Sequence, residues 1–161
     1  MTPPALQMPA AVVHTAVLTV ASDLLGPLTV RAGEMLRFPA GIFGFPDCRR
    51  FVLVPAEQAG LYWLQSADHA PLAFLLADPF VFFPGYAVEL PPADAALLDA
   101  ARVSDVAVFA IVTLPRARDE APTANLRGPL AFNLRAGLGR QLALDRAEHD
   151  LRRPIELGAA G

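Results

Sequence analysis

The chain has 161 residues, enough for one domain of ordinary size that hides roughly 70% of the surface its unfolded form would expose. Apolar residues make up 54% of it and charged residues 18%, which excludes a disordered chain and favours a dense interior. All 13 basic residues are Arg, set against 16 acids, and the net charge of -3 offers phosphates no basic stripe, so direct nucleic-acid binding is not expected.

The 16 Pro and 11 Gly interrupt the backbone too often for long helices. Short runs rich in Val, Phe, Leu and Ile recur between turn signals, and the reading is all-β in the main: a compact, antiparallel, barrel-like single domain with one short helix. Residues 1–14 form a Pro- and Ala-rich extension, 15–145 the barrel domain, and 146–161 a tail. Strands are expected at Thr15–Val20, Leu28–Val30, Glu34–Phe38, Phe51–Pro55, Tyr62–Ser66, Leu72–Ala77 and Tyr86–Leu90, then at Val106–Leu114, Leu130–Asn133 and Gln141–Leu144. Pro91 and Pro92 lead into a helix over Ala93–Arg102, whose Leu97, Leu98 and Ala101 face the domain while Asp94 and Asp99 face outward.

One cysteine, Cys48, allows no internal disulfide and suits a reducing cytoplasm, where it reads as a buried structural thiol. No positive region precedes the early apolar residues, which Pro3, Pro4 and Pro9 also break, so no signal peptide is expected. Apolar runs such as Val106–Pro115 have half the length a membrane helix needs. His14, His69 and His149 are too scattered for a metal motif, and Ser66, Asp68 and His69 lack the glycine-flanked turn of a nucleophile. Gly41 with Gly44, and Gly137 with Gly139, lack the third glycine and helix of a nucleotide site. No catalytic, cofactor or metal residue is assigned.

Charge is uneven. Between Asp78 and Asp105 lie five acids (Asp78, Glu89, Asp94, Asp99, Asp105) and one base, Arg102, for a net of -4. Such a surface either steers a basic protein partner or is a plain solvated helix face, and the aromatic run Phe80, Phe82, Phe83 and Tyr86 within it suits an interface or, as for most Phe of a β domain, the core. The partner-binding candidates are Asp78, Phe83, Tyr86, Glu89, Asp94, Asp99, Asn125 and Asn133. For the two asparagines, which bracket a Gly-Pro turn, tying backbone groups together is favoured over contact with a partner. Gly41 to Pro46 reads as a tight turn anchored by Phe43 and Phe45.

Five stretches carry a resemblance: FPAGIFGFPDCRRFVLVP at Phe38–Pro55, YWLQSAD at Tyr62–Asp68, FLLADP at Phe74–Pro79, AVFAIVTLP at Ala107–Pro115, and PTANLRGPLAFNLRAGLGRQLAL at Pro122–Leu144. In that order, across residues 15–145, the chain resembles the flagellar assembly factor FliW family. The resemblance implies a cytoplasmic, non-enzymatic protein that binds flagellin and, alternatively, the translational regulator CsrA, relieving repression of flagellin mRNA without touching RNA or membrane. Three features depart from the family: the first 14 residues, a Gly85 before Tyr86 where an acid is common, and the charged loop Arg116–Glu120. Loss of that acid weakens a partner contact in this reading. The alternative is a flavin-binding split-barrel enzyme, with Arg135, Arg140 and Arg146 as its phosphate-holding cluster.

Overall fold

Residues 16–146 and 149–158 are described by a computed structural model, and most of them serve one closed ring of strands. A hairpin, β1 (Val17–Val20) and β2 (Leu28–Arg31), forms a separate two-stranded sheet. The ring begins at β3 (Leu36–Arg37) and runs through β4 (Arg50–Pro55), β5 (Leu61–Ser66), β6 (Ala73–Ala77), β7 (Ala107–Thr113), β8 (Thr123–Asn133) and β9 (Leu138–Gln141). Each strand pairs antiparallel with the next, and β9 then pairs with β3 to close the circuit. Seven strands joined by six reversals of direction end running the same way as they began, so the closing seam is parallel. Closure removes the free edges that an open sheet would present.

Period-two alternation divides the side chains between two layers. Leu36, Phe51, Leu64, Leu76, Phe109, Leu130 and Phe132, one or two from each of β3 to β8, meet in the barrel interior with Phe38 and Ile42. Phe38 is fully buried and stands edge-on to Phe51 and Phe132, at ring-centre distances of 5.1 and 5.4 Å. Gly139 faces this ring so closely that a Cβ there would lie 2.4 Å from it, which explains a glycine in the middle of β9. The alternate residues Leu61, Leu75, Ala77, Ala110, Val112 and Ala124 form a second cluster with Phe83, Leu126 and Ile155. Val20 and Val30 of the hairpin cover Val52 on β4.

Several expected elements fall elsewhere. Tyr86–Leu90 is not a strand: β6 pairs directly with β7, which leaves no edge for it, and Pro84, Pro91 and Pro92 withhold donors on either side. Two short helices replace the single one, α1 (Pro79–Phe82) and α2 (Pro92–Leu97). The latter stops well before Arg102 because Asp105 accepts the N–H groups of Ala101 and Arg102, at 3.1 and 3.0 Å, and draws the chain into a 3-10 turn over Val103–Asp105. Leu98 is buried against Ala131, Leu142 and Leu144, whereas Leu97 is exposed, contrary to expectation.

β8 passes straight through the Gly128-Pro129 turn signal. Between the pairs Phe109–Leu130 and Ile111–Asn125 it spends four residues against the single Ala110, a wide bulge that places the proline where no N–H is required. Leu142 and Leu144, assigned from sequence to the next strand, donate to the carbonyls of Pro129 and Arg127 at 2.8 and 2.9 Å, beyond the regular ladder of β9. In the segment read as a tail, β10 (Arg153–Pro154) pairs with the start of β8, and Ile155 is buried. The 1–14 extension lies outside the described residues.

Candidate functional site

The region from Asp78 to Glu89 is shaped by its turn chemistry. Asp78 accepts the Phe80 N–H at 3.0 Å, and Pro79 opens a helix of four residues that ends when Phe83 donates back to Pro79. Gly85 holds φ +85°, a left-handed value that glycine adopts without cost, and a Cβ there would point into open space. The chain then presents Tyr86, whose hydroxyl donates to the Leu126 carbonyl at 3.2 Å and whose ring lies 5.6 Å from those of Phe80 and His149. Burial pushes the Tyr86 phenol up to about 12.

Opposite Tyr86 stands the C-terminal segment. Leu126 donates to the Asp150 carbonyl, and the Arg127 guanidinium donates to the His149 carbonyl, which fixes the segment to the bulge of β8. His149 is buried, its Nε2 3.1 Å from the Ala87 carbonyl oxygen; since a carbonyl only accepts, Nε2 carries the proton. Its Nδ1 is buried without a hydrogen-bond partner. Between the two segments is a cleft of about 310 Å³ with Phe83, Tyr86 and Leu126 as apolar wall. Arg146, paired with Glu89 at 2.8 Å, and Arg153, over the Phe83 ring at 5.7 Å, flank it.

The candidate residues therefore separate. Phe83, Tyr86 and Glu89 belong to this cleft, Asp78 caps the helix leading to it, and Asn125 lies beside Leu126. Asn125 accepts the N–H groups of Arg127 and Gly128 at 3.0 and 2.8 Å, shaping the bulge. Asn133, fully buried, donates to the carbonyls of Leu98 and Asp99 and accepts from Ala136, tying α2 to the end of β8. Asp94 does not face outward freely: it forms an ion pair with Arg140 on β9. Asp99 is exposed in a left-handed conformation, φ 54°. Sequence reasoning missed Leu126, His149 and Arg153 as cleft residues, because the fold joins them to Tyr86 across long separations and no local motif marks them.

In the Gly41–Pro46 turn the anchor is Ile42, buried in the barrel; Phe43 is 63% exposed, while Phe45 packs edge-on against Phe74 at 5.4 Å. Asp68 serves structure as well. Burial raises its carboxyl, but the Arg50 guanidinium and the backbone N–H groups of Arg49 and Arg50 outweigh this and hold it below the usual carboxylate value. The proposed phosphate cluster is not assembled in one cavity: Arg140 turns to Asp94 beside Ala40 and Phe43, while Arg146 turns to Glu89. Among the described residues no group of three or more His, Cys, Asp or Glu is placed to hold a metal ion, and no helix is long and apolar enough to cross a membrane.

The structure is a small closed β-barrel that carries a surface cleft flanked by charged side chains. Residues 19–155 match the family model described as FliW protein. The flagellar assembly factor FliW of Moorella thermoacetica is 37% identical over 139 residues, covering 86% of this chain and 88% of that protein. That of Treponema pallidum is 35% identical over 138 residues, covering 83% and 91%. A crystal structure of the flagellar assembly factor FliW superposes with a TM-score of 0.78 at 30% identity, covering 85% of this chain and 96% of the other. The chain belongs to the FliW family of flagellar assembly factors.

Proposed function

We propose that this protein is a cytoplasmic, non-enzymatic binding module that holds flagellin and, when flagellin is absent, the translational regulator CsrA, relieving repression of flagellin mRNA. Family membership carries the reading. The acidic stretch from Asp78 to Asp105 supports it, because a negative surface suits a basic RNA-binding regulator and repels RNA itself. Asp78 and Asp105 cap turns and Asp94 is held by Arg140 in a half-buried pair, whereas Asp99 is exposed and Glu89 projects into solvent in its exposed pair with Arg146. Mutually exclusive occupancy links the partners thermodynamically: whatever lowers free flagellin raises the share of the module open to CsrA.

The test is binding of the purified protein to flagellin and to CsrA from its own organism by calorimetry, followed by competition. The reading expects a complex with each, displacement of CsrA by added flagellin, and release of flagellin mRNA from CsrA by the free module. Absence of both complexes at micromolar protein would overturn it.

A further inference from the structure

The outer edge of β8 is covered by three stretches in turn. β9 pairs with Leu130–Asn133, Leu142 and Leu144 bond to Pro129 and Arg127, and the segment from His149 to Leu157 covers Pro122–Leu126. That last stretch is a strap held at few points. Leu126 donates to the Asp150 carbonyl, Ile155 donates to the Pro122 carbonyl at 3.0 Å, and two register pairs, Arg153–Ala124 and Pro154–Thr123, lie between. Leu151 to Pro154 and Glu156 are exposed, and the Arg153–Asp150 ion pair joins the strap only to itself. Its buried side chains are His149 and Ile155, and the first carries a cost: Nδ1 has no hydrogen-bond partner while the strap is down, and lifting the strap lets water satisfy it.

What the strap covers has the form of a strand site. Pro122 and Leu126 bond to the strap, and by alternation so does Ala124, so the three present a row of backbone groups that would stand open without it. Ile155, 4% exposed, fills the apolar position in that row, in the cluster with Ala77, Ala110, Val112 and Ala124. Pro154, between two ladder positions, turns its donorless nitrogen away from β8, so the strap in place ends the sheet and offers no edge to a further strand. Val81, 59% exposed, lines a groove with Pro154 and Ile155, and Phe80 beside it is 53% exposed, so apolar surface continues past the strap onto α1.

We propose that this edge of β8 is a strand-acceptor site for a protein partner, filled in the free protein by the chain's own C-terminal strap. The ligand is an extended polypeptide segment running antiparallel to β8, with a β-branched aliphatic residue in the place of Ile155 and apolar contact to Val81; the strap itself shows the chemistry that fits. Displacement exchanges one set of ladder bonds for another and one buried aliphatic side chain for another. The balance is tipped by the added contact with α1 and by hydration of the His149 Nδ1. The inference concerns the β8 edge alone and does not depend on which partner the acidic stretch receives.

The test uses the full chain and a synthetic peptide of Leu151–Gly158, acetylated and amidated, followed by nuclear magnetic resonance. Thr123→Cys with Pro154→Cys, in a Cys48→Ala background, places two thiols at a non-hydrogen-bonded pair, so oxidation locks the strap and reduction frees it. Ile155→Ser loosens it instead. Saturable shifts at Thr123, Ala124 and Leu126 are expected in the Ile155→Ser chain, with a Kd on the order of 1 mM or below. Binding to the parent, where the tethered strap competes, is at least about tenfold weaker, and the oxidised lock binds no peptide. A peptide carrying the same Ile155→Ser change binds at least about tenfold more weakly. In the parent, the Arg153 and Ile155 amides exchange with solvent at least about tenfold faster than the most protected amides of β7, a readout that stands even if Ile155→Ser fails to fold. Exchange of the strap only with the whole barrel, peptide shifts that persist in the oxidised lock, or no saturable shift in a folded Ile155→Ser chain up to about 5 mM would overturn the proposal.

Discussion

Gln141 accepts the backbone N–H of Phe43 at 2.8 Å, and with its other amide atom donates to the Gly128 carbonyl at 2.8 Å. One buried side chain thus fastens the Gly41–Pro46 turn to the bulge of β8, two stretches about 80 residues apart in sequence that both belong to the recognisable motifs. Gln141→Leu keeps the volume and strands both partners. A loss of about 2–4 kcal/mol is expected, read as a lower denaturant midpoint with an unchanged slope.

Gly139→Val tests the contact beneath that link. A side chain there drives into the Phe38 ring, which is fully enclosed by the aromatic interior and has nowhere to turn. The expected cost is about 3 kcal/mol or more, measured by chemical denaturation, and a neutral result would mean that the interior is looser than its ring geometry implies.

Asp68 carries an acid-side signature. Its folded value is depressed, so its contribution to stability is present above the unfolded value of about 4 and lost as pH falls through the lower folded value. The melting-temperature gap between the parent and Asp68→Asn is therefore widest near neutral pH and closes in strong acid. A gap that stays constant with pH would assign the role of Asp68 to shape alone.

Tyr86 gives the opposite case. Its phenol is raised to about 12 from an unfolded value near 10, so the neutral ring favours the folded state fully below pH 10, and that preference is lost as pH rises through about 12. Ultraviolet titration of tyrosinate in the folded protein should show a late component that Tyr86→Phe removes.

Charge reversal separates contact from scaffold. Glu89→Lys with Asp99→Lys is expected to slow association with CsrA several-fold at low salt, an effect that shrinks as salt rises, with folding little changed. Asp94→Lys instead confronts Arg140 and lowers the melting temperature. Stopped-flow association and thermal melts distinguish the two, and an unchanged low-salt rate in the double variant would move the interface elsewhere.

The strands of the ring were legible where alternation and turn chemistry agree, as at Tyr62–Ser66 and Val106–Leu114, whose observed bounds differ from expectation by one residue at each affected end. Tyr86, Val88 and Leu90 alternate just as well, yet the alternation there serves two different clusters from an irregular segment, because pattern reports burial and not the presence of a vacant sheet edge. The Gly-Pro pair misled in the other direction: a donorless residue ends a regular strand but fits a bulge, and only the opposing Ala110 reveals which applies. Half of the cleft was visible as Phe83, Tyr86 and Glu89. The other half depends on Leu126, His149 and Arg153, brought there by tertiary hydrogen bonds that leave no trace in local spacing.

The parallel seam has a dynamic consequence. β3 meets β9 through the single register pair Arg37–Leu138, reinforced by the bond from the Arg37 N–H to the Gly137 carbonyl, whereas β7 and β8 share six register pairs. The ring is therefore zipped along most of its circumference and latched at one point, between segments about 100 residues apart. Amide protons of β3 and β9 facing that latch should exchange with solvent by a partial opening well below the global unfolding free energy, while those of β7 and β8 exchange only when the whole barrel comes apart. Because the latch joins distant parts of the chain, its closing carries a large loop-closure cost and is expected late in folding, after the sequence-adjacent strands have paired.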